Sequence, residues 1–187
     1  MREKLRTLEP FSPQINYITA SIMLIGGQGT AAIPILEALP AALARHTALA
    51  HAYASQGRFG EAADTLLAIR GEEQRFGPVE DAARLIRSAP TKVKPEALPA
   101  LDNQLSFVYV YVGAPDLVLD YQERLIAEYN VLFSQQVRYL WSPDFAPVRK
   151  TERFKALMRA AKYVEYWRAK GWPDLCRPQG ADDFVCV

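Results

Sequence analysis

Apolar positions recur every three to four residues along nearly the whole chain, and no stretch alternates apolar and polar residues in the way a half-buried strand requires. The pattern predicts an all-α protein of about nine helices. Its longest element runs from Thr151 to about Lys170, where Phe154, Leu157, Met158, Ala161, Val164 and Trp167 mark one apolar face. Thr151 is placed to cap that helix, and Gly171-Trp-Pro173 carries the glycine and proline that stop one. A helix near Tyr129–Trp141 precedes it, with a break at Ser142-Pro-Asp-Phe-Ala-Pro147. Residues 77–88 predict a further helix with Pro78 in its first turn. Thirteen prolines look hostile to helices, yet Pro40, Pro78, Pro95 and Pro115 each fall where a helix could begin, the position that tolerates proline.

The same short pattern returns along the chain. Tyr53 is followed four residues later by Gly57, Tyr109 by Gly113, and Met23 by Gly27. Around the middle copy Leu49 and Tyr53 lie one helical turn apart, and small Ala62 opens a second helix that can approach closely, with Leu66 one turn on. Around the third copy stand Leu105, Ser106, Tyr109, Val118 and Gln122; around the first, Ala20, Met23, Ala32 and Leu36. The copies start near residues 13, 43 and 99, so the second interval must hold an extra helix, which residues 77–88 supply.

The spacing His46-x2-Leu49-Ala50-x2-Tyr53, then Ala62-x3-Leu66, resembles the tetratricopeptide repeat (TPR), a helix–turn–helix unit. A second resemblance lies in the last third. The runs Leu140-Trp-Ser-Pro-Asp-Phe-Ala-Pro147 and Tyr166-Trp167-Arg-Ala-Lys-Gly171-Trp172-Pro173 resemble the end of TPR-type regions in proteobacterial signalling proteins. There the repeats follow an adenylate/guanylate cyclase or winged-helix domain. The resemblance implies an α-solenoid of antiparallel helix hairpins used for regulation or assembly, and no cyclase activity, since no cyclase segment is present. It also implies inner-face positions for a partner at Gln14, Tyr17, Thr47, His51, Asn103 and Phe107. Peptide-carboxylate clamps in TPR proteins use Lys, Arg and Asn; only Asn103 is of that kind here. The neutral, aromatic character of the set favours extended apolar or amide-rich ligands.

Balanced charge, net +1, with half the residues apolar, argues for a globular core and against a disordered tail. The most apolar run, Ile18–Ile25, is far below the ~20 residues a bilayer needs, and the N-terminus lacks a signal-peptide core, so a cytoplasmic location and no membrane partner are expected. Gly27-x-Gly29-x-x-Ala32 matches a dinucleotide fingerprint, but that motif needs a strand before it, whereas a glycine turn between helices suffices here. His46 and His51, five residues apart, are rotated by about 140° on a helix and cannot share a metal; His46 is expected to pack inward. Cys176 reads as small apolar packing and Cys186 as an exposed thiol, with a tail disulfide as the alternative; with Asp182 and Asp183 they match zinc spacing poorly. Residues 138–177 carry ten Lys/Arg against four Asp/Glu. With acids interleaved and no base-reading motif, Lys155, Arg159 and Lys162 read as a solvated face or one for an acidic partner, not a nucleic-acid site.

The expected organisation is one continuous domain: a lead-in at residues 1–12, TPR-like repeats at 13–128, and capping helices with an aromatic-rich folded-back tail at 129–187. The expected function is a non-catalytic interaction or regulatory module for a peptide or helical partner, with no metal or cofactor and a homo-oligomer left open. The alternative is a small-molecule sensor coupled to a separate output domain.

Overall fold

A computed structural model describes residues 12–69, 78–101, 104–129 and 135–187; the expected lead-in and Asn103 fall outside them. Ten helices and one two-stranded sheet make up the described residues, so the chain is predominantly helical.

Helix α1 spans Pro13–Ile25, α2 Gly29–Glu37, α3 Leu43–Ser55 and α4 Phe59–Leu67. Every boundary of the second pair repeats the first at a shift of thirty residues (13 to 43, 37 to 67). Each helix packs on the next in sequence, α1 on α2, α2 on α3 and α3 on α4, and α5 (Val79–Ser88) continues the series on α4. Equivalent positions are buried in both pairs: Ala20 and Ala50, Ala32 and Ala62, Leu36 and Leu66. Ala32 and Ala62 are wholly inaccessible, as close helix contacts demand of small residues.

The three glycines of the recurring pattern perform one job. Gly27, Gly57 and Gly113 have φ of 74°, 72° and 83°, the left-handed conformation that glycine adopts without a steric penalty. In each case the amide after the glycine donates to the carbonyl five residues back: Gln28 to Met23, Arg58 to Tyr53, and Ala114 to Tyr109. This is the Schellman closure of a helix end. The next helical turn starts two residues beyond the glycine every time, at Gly29, Phe59 and Pro115. The third copy is abbreviated, with α6 only Val108–Tyr111 and a 3-10 helix, Pro115–Leu119, running into α7 (Asp120–Tyr129).

The C-terminal third differs from expectation in three ways. A 3-10 helix at Gln135–Trp141 and another at Pro143–Phe145 lead into the four-residue α8 (Ala146–Arg149). The long helix is two, α9 (Glu152–Ala160) and α10 (Tyr163–Lys170), because the backbone turns left-handed at Lys162 (φ 64°). Thr151 does cap α9, accepting from the Phe154 amide at 3.1 Å. The tail is a hairpin, β1 (Cys176–Gln179) antiparallel to β2 (Asp183–Cys186), with Cys176 opposite Cys186 and joined to it by a disulfide. Both cysteines are buried, so the free exposed thiol expected at Cys186 is corrected. Strand alternation was too short, at four residues a side, to register as a period.

The tail lies on an aromatic base. Trp167 contacts Trp141, Trp172 and Phe184 at 6.1, 5.6 and 5.7 Å between ring centres, and Phe184 is fully buried. Lys155 and Arg159, expected to face solvent or an acidic partner, instead hold Asp183 of β2 at 3.0 and 2.7 Å. The acid that complements this basic face comes from the chain itself. No helix among the described residues is long and apolar enough to cross a membrane.

Candidate functional site

The helical-repeat arrangement brings Tyr17 from α1, Thr47 and His51 from α3, and Phe107 from the turn before α6 to one small cavity. Its floor is completed by Ser106, Val118 and Gln122, and its wall by Tyr139, Leu140 and Phe145 of the C-terminal 3-10 helices. The room inside for water centres is ≈ 30 Å³, enough for about two ordered waters. Gln14 does not reach it; that side chain is exposed and lines a separate cleft with Pro13, Leu39, Pro40 and Arg45. Tyr17 borders both.

Partner-facing positions were expected here, but most of these side chains are buried. His51 is 3% exposed, Phe107 5% and Thr47 7%, with only Tyr17 half-buried. Residues 139–145 lie against these side chains: Tyr139, Leu140 and Phe145 line the same cavity, and Asp144 meets His51.

His51 anchors that contact. Its Nε2 lies 2.7 Å from Asp144 Oδ2, and its ring stacks on Phe107 at 4.9 Å, with Tyr139 and Phe145 at 5.3 and 5.4 Å. The Tyr111 hydroxyl donates to the same Asp144 oxygen at 2.5 Å. Ser142 Oγ stands 2.7 Å from Asp144 Oδ1 and 2.8 Å from the Tyr139 carbonyl, with one proton to give to either. Burial pushes the Asp144 carboxyl up, but the electrostatic influence of neighbouring His51 and the hydrogen bonds from His51, Tyr111 and Ser142 outweigh it. The net effect holds Asp144 well below the usual carboxylate range. Burial raises the Tyr111 phenol far above its ordinary value, with the Asp144 charge adding to it. Tyr139 is pushed up to about 12, chiefly by burial and next by the Tyr17 hydroxyl, against a smaller opposite pull from Ser21.

Arg149 holds this wall from behind. Fully surrounded, it donates through Nη1 to the carbonyls of Leu140 and Ser142 at 2.6 and 2.7 Å, and through Nε to the Val187 carbonyl at 2.6 Å.

Serine, histidine and aspartate meet here without forming a nucleophilic triad. The Ser142 hydroxyl sits on the carboxylate and not on the imidazole, so it does not give its proton to His51. The glycine pair of the dinucleotide fingerprint is likewise structural. Ile22–Ile25 ends a helix, and a Cβ on Gly29 would stand 2.6 Å from Ser55 Oγ and 2.7 Å from Gln56 Nε2. No group of three or more His, Cys, Asp or Glu placed to hold a metal occurs among the described residues.

Sequence reasoning missed Ser21, Gln122, Tyr139, Asp144 and Phe145. The thirty-residue period could have found Ser21, which is the equivalent of His51 one repeat earlier and is fully buried beside Tyr139. Gln122 stands in the third copy where Leu66 stands in the second, a buried polar residue at an apolar position, while Tyr139, Asp144 and Phe145 carry no local mark. No family model, curated protein or solved structure matches this chain.

Proposed function

We propose that this chain is a non-catalytic regulatory module of TPR-like helical repeats, whose ligand is a small molecule taken into the cavity between α1, α3 and residues 139–145. One observation carries the reading. Tyr17, Thr47, His51 and Phe107, the inner-face residues, converge on a single cavity whose remaining side is built by the chain's own Tyr139, Leu140 and Phe145. An extended peptide would find that face covered. The lining mixes hydroxyls and an amide (Tyr17, Thr47, Ser106, Gln122) with aromatic rings, the composition of a site that orients a small neutral ligand. As formed, the space admits about two waters. Anything larger has to move residues 139–145, so occupancy and the position of the C-terminal wall are linked, as a sensor requires.

The test is native mass spectrometry of freshly purified protein, followed by thermal shift with each compound recovered. At a hundredfold excess over Kd a ligand adds about 2.7 kcal/mol, which raises Tm by roughly 5–10 °C for a chain of this size. The shift should be lost in a Thr47→Val/Gln122→Leu variant that itself melts normally. A ligand that shifts both proteins equally binds elsewhere. A peptide partner whose binding exposes residues 139–145 to hydrogen exchange would replace the small-ligand reading with the peptide one.

A further inference from the structure

We propose that the Cys176–Cys186 disulfide is a redox-sensitive clasp on the cavity: its reduction releases Arg149 and loosens the wall formed by residues 139–145. The proposal deepens the reading of that cavity as a regulated site and rests on it for its purpose.

The connection is a continuous series of short contacts. Cys186 is followed by Val187, whose carbonyl accepts from Arg149 Nε at 2.6 Å. The same guanidinium donates to the Leu140 and Ser142 carbonyls at 2.6 and 2.7 Å. Ser142 Oγ lies 2.7 Å from Asp144, and Asp144 lies 2.7 Å from His51 Nε2 in the cavity lining. The Arg149 guanidinium joins three backbone oxygens, one at the end of the tail and two in the wall. Arg149 is thus a positioning residue for the wall, and the end of the tail is one of its three supports.

The two halves of β2 are held differently. Its first half is fixed without the disulfide, by Asp183 between Lys155 and Arg159 and by Phe184 packed on Trp167 and Trp172. Its last residues are held by the cross-link, by pairing with β1, and by the Val187 amide on the Leu175 carbonyl at 2.9 Å. A two-stranded ribbon of four residues a side is marginal in water without further support. Reduction therefore frees Cys186 and Val187 while Asp183 and Phe184 stay docked. In the reaction one S–S bond breaks. A dithiol supplies two electrons and two protons, two cysteine thiols form, and the reductant closes to its own cyclic disulfide. The sulfurs are shielded at the open end of the hairpin, where Cys176 faces Cys186, so a dithiol reaches them when that end frays.

The experiment is hydrogen–deuterium exchange on the full chain, oxidised and after dithiothreitol, with intact mass reporting the thiol state. The Ser142 and Phe145 amides, which donate to Tyr139 and Ser142 carbonyls at 3.0 and 3.2 Å, are the reporters. Reduction should speed exchange in residues 139–149 about tenfold while residues 13–67 stay protected. A Cys176→Ser/Cys186→Ser variant should show the fast pattern with or without dithiothreitol, and Arg149→Met should show it with the disulfide intact. Unchanged exchange in 139–149 after reduction overturns the proposal, as does a rise spread evenly over the chain, which would make the disulfide a general staple. So does a disulfide that resists the dithiol. None of these measurements uses a ligand, so failure here is distinct from failure to find one for the cavity.

Discussion

Asp144 is the residue on which the C-terminal wall and the repeats depend together. Replacing it with alanine removes the acceptor shared by His51 and Tyr111, at 2.7 and 2.5 Å, in surroundings that leave His51 3% exposed. Ser142 is spared, because its hydroxyl keeps the Tyr139 carbonyl at 2.8 Å. Two buried polar groups are then stranded, each costing about 1–3 kcal/mol. Asp144→Ala should thus lose about 2–6 kcal/mol, a large part of the ~5–15 kcal/mol that holds a domain folded. Asp144→Asn keeps one acceptor and should lose about 1–3 kcal/mol. Urea unfolding at pH 7, followed by tryptophan fluorescence and circular dichroism with a common m-value, reads both. The pH dependence has a definite sign. Asp144 ionises more readily folded than unfolded, so its contribution is complete above the unfolded value of about 4 and is lost as pH falls through the depressed folded one. The gap between wild type and Asp144→Asn should therefore narrow on acidification. A His51→Phe/Asp144→Ala protein should be less destabilised than the sum of its single changes, since no polar group is left from the pair. An Asp144→Ala protein within about 1 kcal/mol of wild type at pH 7 would refute the junction.

Two further outcomes are expected. Ala62 is fully buried where α4 meets its neighbours, so Ala62→Leu should overpack the contact at about 1–3 kcal/mol and lower Tm by roughly 2–12 °C in calorimetry; an unchanged Tm would mean the helices are not in close contact there. Tyr53 and Tyr139 are both pushed up to about 12, chiefly by burial, from an unfolded value of about 10. Their neutral forms stabilise the fold fully below pH 10, and that stability is lost as pH rises from about 10 toward 12. Urea titrations at rising pH should steepen over that window in wild type and flatten in Tyr53→Phe and Tyr139→Phe; parallel curves for all three would show that neither phenol titrates abnormally.

Whatever depends on a few neighbouring residues was determined by the sequence alone. A glycine four residues after Met23, Tyr53 and Tyr109 ends a helix in each copy, because only glycine takes the left-handed turn without strain and the closing hydrogen bond is local. Thr151 caps its helix for the same kind of reason, reaching an amide three residues away. The candidate set was legible to the extent that repeat spacing groups Tyr17, Thr47, His51 and Phe107, which line one cavity. What completes that cavity was not. His51 meets Asp144 across 93 positions of chain, a pairing that no periodicity signals. The split of the last helix at Lys162 is a backbone reversal at a residue with no propensity for it, seen only where α10 turns Val164 and Trp167 inward. The tertiary structure alone decided that Lys155 and Arg159 meet their own Asp183, that Cys176 faces Cys186, and that Tyr139, Leu140 and Phe145 wall the cavity lined by Tyr17, Thr47, His51 and Phe107. Each of these depends on surfaces brought together from far apart in the chain, where burial and pairing decide and local preference has no say.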